Sequence, residues 1–204
     1  MSSTFKHIAL KSLLIVLPLC GMWQIGSASY IHAKAILAQA LLETAWDKTI
    51  HGQQEVKPWP WADTWPISRL DVPGLGIDRI VLAGASGSSL AFGPGHLFGS
   101  SLPGQQGNTV ISGHRDTHFR FLQDIQRGDL IQMQLLTGET IQYEVTETII
   151  ADEKETEYIA NTSENTLTLI TCYPFNAIRP GGPLRYLVIA KQYTPVVNTP
   201  VVRI

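Results

Sequence analysis

The pattern of apolar and polar positions separates an apolar N-terminal stretch from a remainder in which short apolar runs alternate with turns. Ser12 to Ile31 is apolar apart from Gln24 and a few serines, long enough to cross a hydrocarbon core of ~30 Å. Ala33 to Ile50 holds no Gly or Pro and is rich in Ala and Leu, which predicts a helix. Leu37, Leu41 and Ala45 form one stripe on it, and Leu42, Trp46 and Ile50 another. The simplest account is a continuation of the apolar helix that docks on the following domain, with Gly52 placed to end it. Gly52 to Pro66 then alternates Pro58, Pro60 and Pro66 with Trp59, Trp61 and Trp65. Proline enforces an extended path, and the tryptophans have two uses, packing on the domain wall or sitting at a membrane interface.

From Ile67 the pattern changes to short β-rich runs between turn signals. Strands are expected at Ser68 to Val72, Gly76 to Leu82, Asn108 to Ser112, Asp129 to Leu136, Thr140 to Ile150, Thr166 to Thr171 and Leu184 to Gln192. Thr137-Gly138-Glu139 reads as a tight hairpin. Such spacing with little helix predicts an all-β, closed or nearly closed barrel. A helix is expected only at His118 to Gln126, where Phe119, Leu122 and Ile125 recur at spacings of three. Leu90 to Leu102 is a Gly/Pro-rich loop.

Composition adds constraints. A net charge of −2 without a basic run gives no sign of a nucleic-acid partner. Twelve prolines and seventeen glycines suit a turn-rich β domain, and roughly 140 residues can bury a real core without disulfides. Lys6 and Lys11 ahead of the apolar stretch keep the N-terminus in the cytoplasm. An uncleaved anchor is one possibility and a signal peptide cut near Ala33-Lys34-Ala35 the other; both export the domain.

The chemistry-bearing residues fall at strand ends. Cys20 lies in the apolar stretch, so Cys172 is the one thiol of the domain, which excludes an intradomain disulfide and a multi-cysteine metal site. The run Leu167 to Thr171 leads to Cys172 and stops at Pro174. Asn108 to Ser112 leads through Gly113 to His114, and Arg185 opens the last strand. A free cysteine is often only a small buried hydrophobe, but an exported thiol that is retained suggests use. A thiolate nucleophile, an imidazole acid/base and a guanidinium facing developing negative charge are the groups that acyl transfer needs. Of His96, His114 and His118, only His114 ends a strand. Arg179 is the rival of Arg185, whereas Arg115 is expected to pair with Asp116 or Asp124. The acidic run Asp152 to Glu157 lacks the alternating ligands and central glycine of a calcium loop and reads as a solvated loop.

These segments resemble the sortases, cysteine transpeptidases that attach or cross-link surface proteins. Thr168-Leu169-Ile170-Thr171-Cys172 is similar to the family's TLxTC signature, Asn108 to Arg115 to the segment ending in its histidine, and Pro183 to Ala190 to its arginine strand. Leu90 to His96 and Pro103-Gly104 are also sortase-like. Cys172-Tyr173-Pro174-Phe175 and Pro180-Gly181-Gly182-Pro183 look most like the sortases of Gram-negative bacteria. The resemblance implies a sortase barrel of about eight strands, with Cys172 as nucleophile, His114 as general acid/base and Arg185 at the oxyanion or the substrate. Thr171 and Gly113 are the candidate substrate-binding positions, the Thr171 hydroxyl having two uses, meeting substrate or packing. The resemblance implies no cofactor and no metal. The implied partners are a surface protein with a C-terminal sorting signal and an amine acceptor, met by an enzyme held in the inner membrane with a periplasmic domain.

The expected organisation is a cytoplasmic stub and anchor over 1–31, a juxtamembrane helix and linker over 32–66, the barrel over 67–193 and a tail over 194–204. A non-catalytic anchored barrel that binds peptides explains the anchor and the fold, but not the three reactive groups at strand ends. A cysteine peptidase that releases its substrate to water is the enzymatic alternative.

Overall fold

The computed structural model describes residues 3–179 and 181–194; most of the tail expected at 194–204 lies outside the described residues. The chain divides between Ala40 and Leu41. Before that point it is helical: α1 runs over Ser3–Ile50 with Pro18 inside it, and no break separates the apolar stretch from the Ala/Leu-rich one. Its segment Leu13–Ile50 is long and apolar enough, by length and composition alone, to cross a membrane.

In the second unit the end of α1 buries Leu42 and Trp46 against Ile80 and Leu82, with Ile50 and Phe92 beside them. These are members of the stripe expected to dock. Glu43 on the same helix pairs with Arg69 at 3.0 Å, and Arg69 in turn holds Asp78. The linker divides its tryptophans: Trp59 meets Phe92 edge-on at 4.7 Å, Trp65 packs against the barrel core, and Trp61 is 83% exposed.

The barrel strands are β1 (Pro66–Val72), β2 (Ile77–Ala83), β3 (Gly95–His96), β4 (Asn108–Ser112), β5 (Leu130–Gln134), β6 (Thr140–Asp152), β7 (Thr166–Cys172) and β8 (Leu184–Gln192). They close in the order β1-β2-β3-β4-β7-β8-β6-β5. The closed all-β barrel with short helices, preceded by an apolar helix, is the architecture expected. Alternation sends Leu167 and Leu169 of β7, Val188 and Ala190 of β8, and Ile131 and Met133 of β5 into a common core with Leu70, Val81 and Ile111. At about 25 cal/mol per Å² of apolar surface, this burial is the main source of stability.

Several short elements depart from expectation, among them 3-10 turns at Pro73–Leu75 and Thr156–Ile159. β3 is a strand of two residues inside the Gly/Pro-rich loop, joined in parallel to β2 and antiparallel to β4. Gly95 permits it, because a Cβ there would collide with the carbonyl oxygen of Gly84. The helix expected at His118 to Gln126 is instead a single 3-10 turn, Arg120–Gln123. A spacing of three is the 3-10 repeat rather than the α repeat, and Phe119, Leu122 and Ile125 are all buried by it.

Strand direction positions the candidate site. β4 and β7 are parallel, so their C-terminal ends lie at the same end of the barrel. β7 and β8 are antiparallel, so β8 begins where β7 finishes.

Candidate active site

Cys172 is the last residue of β7 and is partly exposed. It faces the same side as Thr168 and Ile170, opposite the inward Leu167 and Leu169. Its cross-strand partner on β8 is Arg185, and side chains of directly opposed residues share a face with Cβ atoms about 5 Å apart. On the other flank, Ser112 pairs with Ile170 and the Gly113 N–H donates to the Ile170 carbonyl at 3.1 Å. Ser112 is the last paired residue of β4, and exposed His114 follows it by two positions, at the end of the barrel where Cys172 closes β7. The positions that carry thiol, imidazole and guanidinium thus fall at one end of the barrel, Cys172 and Arg185 directly paired and His114 just past the end of β4.

Thr171 and Gly113 belong to the support of this arrangement. Thr171 is 2% exposed, and its hydroxyl donates to the Gly113 carbonyl at 2.7 Å, tying β7 to the chain just before His114. Gly113 leaves room for Phe119, since a Cβ would stand 2.7 Å from that ring. The contacts that this pair makes are thus with each other and with the core.

Arg185 is held from two directions. Its Nη1 donates to the carbonyls of Gly182 at 2.7 Å and Leu184 at 3.0 Å, and its Nη2 donates to Glu153 at 2.5 Å. Glu153 comes from the acidic run read as a solvated loop, and Asp152 at its start is the β6 residue paired with Leu184. The partner of Arg185 was therefore missed; the signal is cross-strand geometry, which composition does not carry. A cavity of about 170 Å³ opens beside Arg185, lined by Ile170, Leu187, Ala151, Glu155, Thr156 and Ile159 among others. Its floor is apolar and its rim carries carboxylates.

The other titratable groups are accounted for. Arg115 is paired with Asp116, one of the two carboxylates expected for it, and this pairing holds the Asp116 carboxyl below the usual carboxylate range. Arg179 is exposed. His96 is buried, with its ring nitrogen 3.0 Å from both the Ser101 carbonyl and the Ser100 hydroxyl. Burial lowers its pKa, and burial lowers that of His118 as well. Among the described residues no group of three or more His, Cys, Asp or Glu side chains is placed to hold a metal ion.

The class defined here is a closed mixed β-barrel bearing cysteine, histidine and arginine at adjacent strand ends. A model of the sortase domain matches residues 70–193, and the chain belongs to the sortase family. It is 35% identical over 126 residues to sortase D of Bacillus subtilis (strain 168), a match covering 61% of this chain and 63% of that protein. It is 31% identical over 110 residues to sortase A of Listeria monocytogenes, covering 52% and 49%. The matches thus span less than two thirds of either relative's own length. Among solved structures, the Clostridium perfringens sortase D5 transpeptidase superposes with a TM-score of 0.58 at 27% identity, over 74% of this chain and 89% of that one.

These relatives correct two expectations. They come from Gram-positive bacteria, so the likeness to Gram-negative sortases is overturned, and with it the inner-membrane, periplasmic location. Gram-positive cells have a single membrane, and the relatives' catalytic domain is extracellular. The error has a physical origin. The Cys172 to Phe175 variant runs from the end of β7 into the loop that follows, and Gly181 to Pro183 precede β8; sequence is freer to vary in loops than in strands.

Proposed function

We propose that this chain is a membrane-anchored cysteine transpeptidase, held by α1 with its barrel on the outer side of the membrane. The observation that carries this is the pairing of Cys172 with Arg185 where β7 ends and β8 begins, at the barrel end where β4 leads into His114, with Arg185 lining a cavity beside Ile170 and Leu187. The Cys172 thiolate attacks a peptide carbonyl of a surface protein's C-terminal sorting signal. As the C–N bond breaks, His114 returns a proton to the leaving amine, and a thioester remains on the sulfur. An incoming amine attacks that thioester, gives up a proton to His114 and releases the thiolate. Arg185 cannot lose its charge; it serves the tetrahedral oxygen or holds the substrate backbone at the mouth of the cavity.

The test is chemical. Full-length protein is treated with iodoacetamide and the labelled cysteines are located by peptide mass spectrometry. The expected result is saturating labelling of Cys172 that falls sharply in His114→Ala. Surface proteins encoded beside this chain's gene are then offered as substrates, and a thioester adduct on Cys172 is sought. Incorporation of an added primary amine into the product marks transfer, whereas release of a free carboxylate alone marks a hydrolase. Labelling of Cys172 that ignores His114 would overturn the assignment.

A further inference from the structure

Arg115 follows His114 directly, yet its side chain is only 6% exposed. Its Nε and Nη2 grip both oxygens of Asp116, at 2.8 and 3.0 Å. Its remaining donors cross to the segment after the nucleophile: Nη1 to the Pro174 carbonyl at 2.7 Å and Nη2 to the Ala177 carbonyl at 2.9 Å. Two separate stretches of chain are thereby joined beyond the last rung of the β4–β7 ladder. One carries His114 and the other continues from Cys172. Closer in, the links are the Gly113 N–H to the Ile170 carbonyl and the Thr171 hydroxyl to the Gly113 carbonyl. Neither constrains the chain after it has passed the two reactive residues. The guanidinium is also within electrostatic reach of Cys172.

We infer that Arg115 is a positioning residue: it fastens the chain after Cys172 to the chain carrying His114, and so sets how thiol and imidazole face each other. It touches neither the substrate nor the reacting atoms, and it acts through the two residues that do. This rests on the transpeptidase proposal above. A planar fork is needed for the task, because it reaches a carboxylate in two-point fashion and two carbonyls in divergent directions. Lysine keeps the charge but offers a point donor, which cannot hold all four acceptors at these angles. Misplacement of a catalytic pair by about 1 Å is enough to cost on the order of 100-fold.

The experiment measures the second-order rate of Cys172 alkylation by iodoacetamide against pH, in full-length protein, with N-acetylcysteine alkylated in parallel as a free-thiol reference. Arg115→Lys is expected to slow Cys172 by about 10- to 100-fold and to remove most of the difference that His114→Ala makes in the wild type. Asp116→Asn keeps one acceptor for the guanidinium on an exposed side chain and is expected to give a smaller drop in the same direction. Tryptophan-fluorescence melting of each variant reports folding. An Arg115→Lys protein with the wild-type pH profile and undiminished dependence on His114 would overturn the inference. So would a loss of reactivity that merely tracks the unfolded fraction in both variants. The proposal on which this depends fails in a different place: wild-type Cys172 would then react no faster than N-acetylcysteine and would ignore His114→Ala.

Discussion

Two recesses in the barrel unit differ in a way that bears on how a site is found. The larger, about 650 Å³, lies between the linker and the loop after β3, with Trp65, Phe98, Leu102 and Leu136 on its walls. The smaller, about 170 Å³, lies beside Arg185. The large one contains a histidine, His96, but that ring is buried and bonded to its own loop. The small one is lined by Arg185, the strand partner of Cys172, and by Ile170, two residues before that thiol. On the proposed mechanism volume does not mark the chemistry in this fold; strand ends do, and the parallel pairing of β4 with β7 puts theirs at one end of the barrel.

The sharpest way to break that comparison is to remove the sulfur. Cys172→Ala should reduce acylation by at least about 10⁴-fold, to background, with the melting temperature nearly unchanged; mass spectrometry of the trapped adduct checks this. Next is Arg185→Lys, which should lower the acylation rate by about 100-fold, the scale of a lost oxyanion donor. Its companion Glu153→Gln should lose less, about tenfold, because the fork remains and only its tether weakens. Phe119→Ala addresses the support behind His114. It should cost about 3–5 kcal/mol of stability in urea unfolding, since the ring is fully buried against Gly113.

The smallest effect is expected in the larger recess. Burial lowers the pKa of His96, so the folded state disfavours its protonation. Stability is then fully present above the ordinary histidine pKa of about 6.5 and declines as pH falls through the lowered folded value. His96→Asn should flatten that slope below pH 6.5 while leaving the rate of Cys172 alkylation within about twofold. A large loss of reactivity in this variant would tie the big recess to the chemistry and undo the contrast.

What was legible in the sequence depended on the range of the signal. Runs such as Thr166 to Cys172 were readable because they are β-branched and apolar and end at a proline, as a strand buried on both faces does. The ends of those runs also disclosed Cys172, His114 and Arg185. β3 was not readable, since two residues hold no period and only Gly95's lack of a side chain allows the pairing. The triplet Phe119, Leu122 and Ile125 announced a helical turn but not its type. The bulge between Val145 and Glu147 shifts register within β6, which a strict alternation cannot anticipate. Glu153 looked like one more surface carboxylate; only the pairing of Asp152 with Leu184 brings it to Arg185. The Gram-negative likeness came from loop residues, the least constrained part of the site.

The exposed Thr137-Gly138-Glu139 turn has a use that follows from where the reactive groups lie along the chain. A cut there would place His114 on one polypeptide and both Cys172 and Arg185 on the other. Neither piece alone would hold both the thiol and the imidazole, and β5 and β6 are antiparallel neighbours across the cut. The His114-dependent part of the thiol's reactivity would return only when the two halves reunite, which makes this barrel a split reporter in which the act of reassembly is read at a single sulfur.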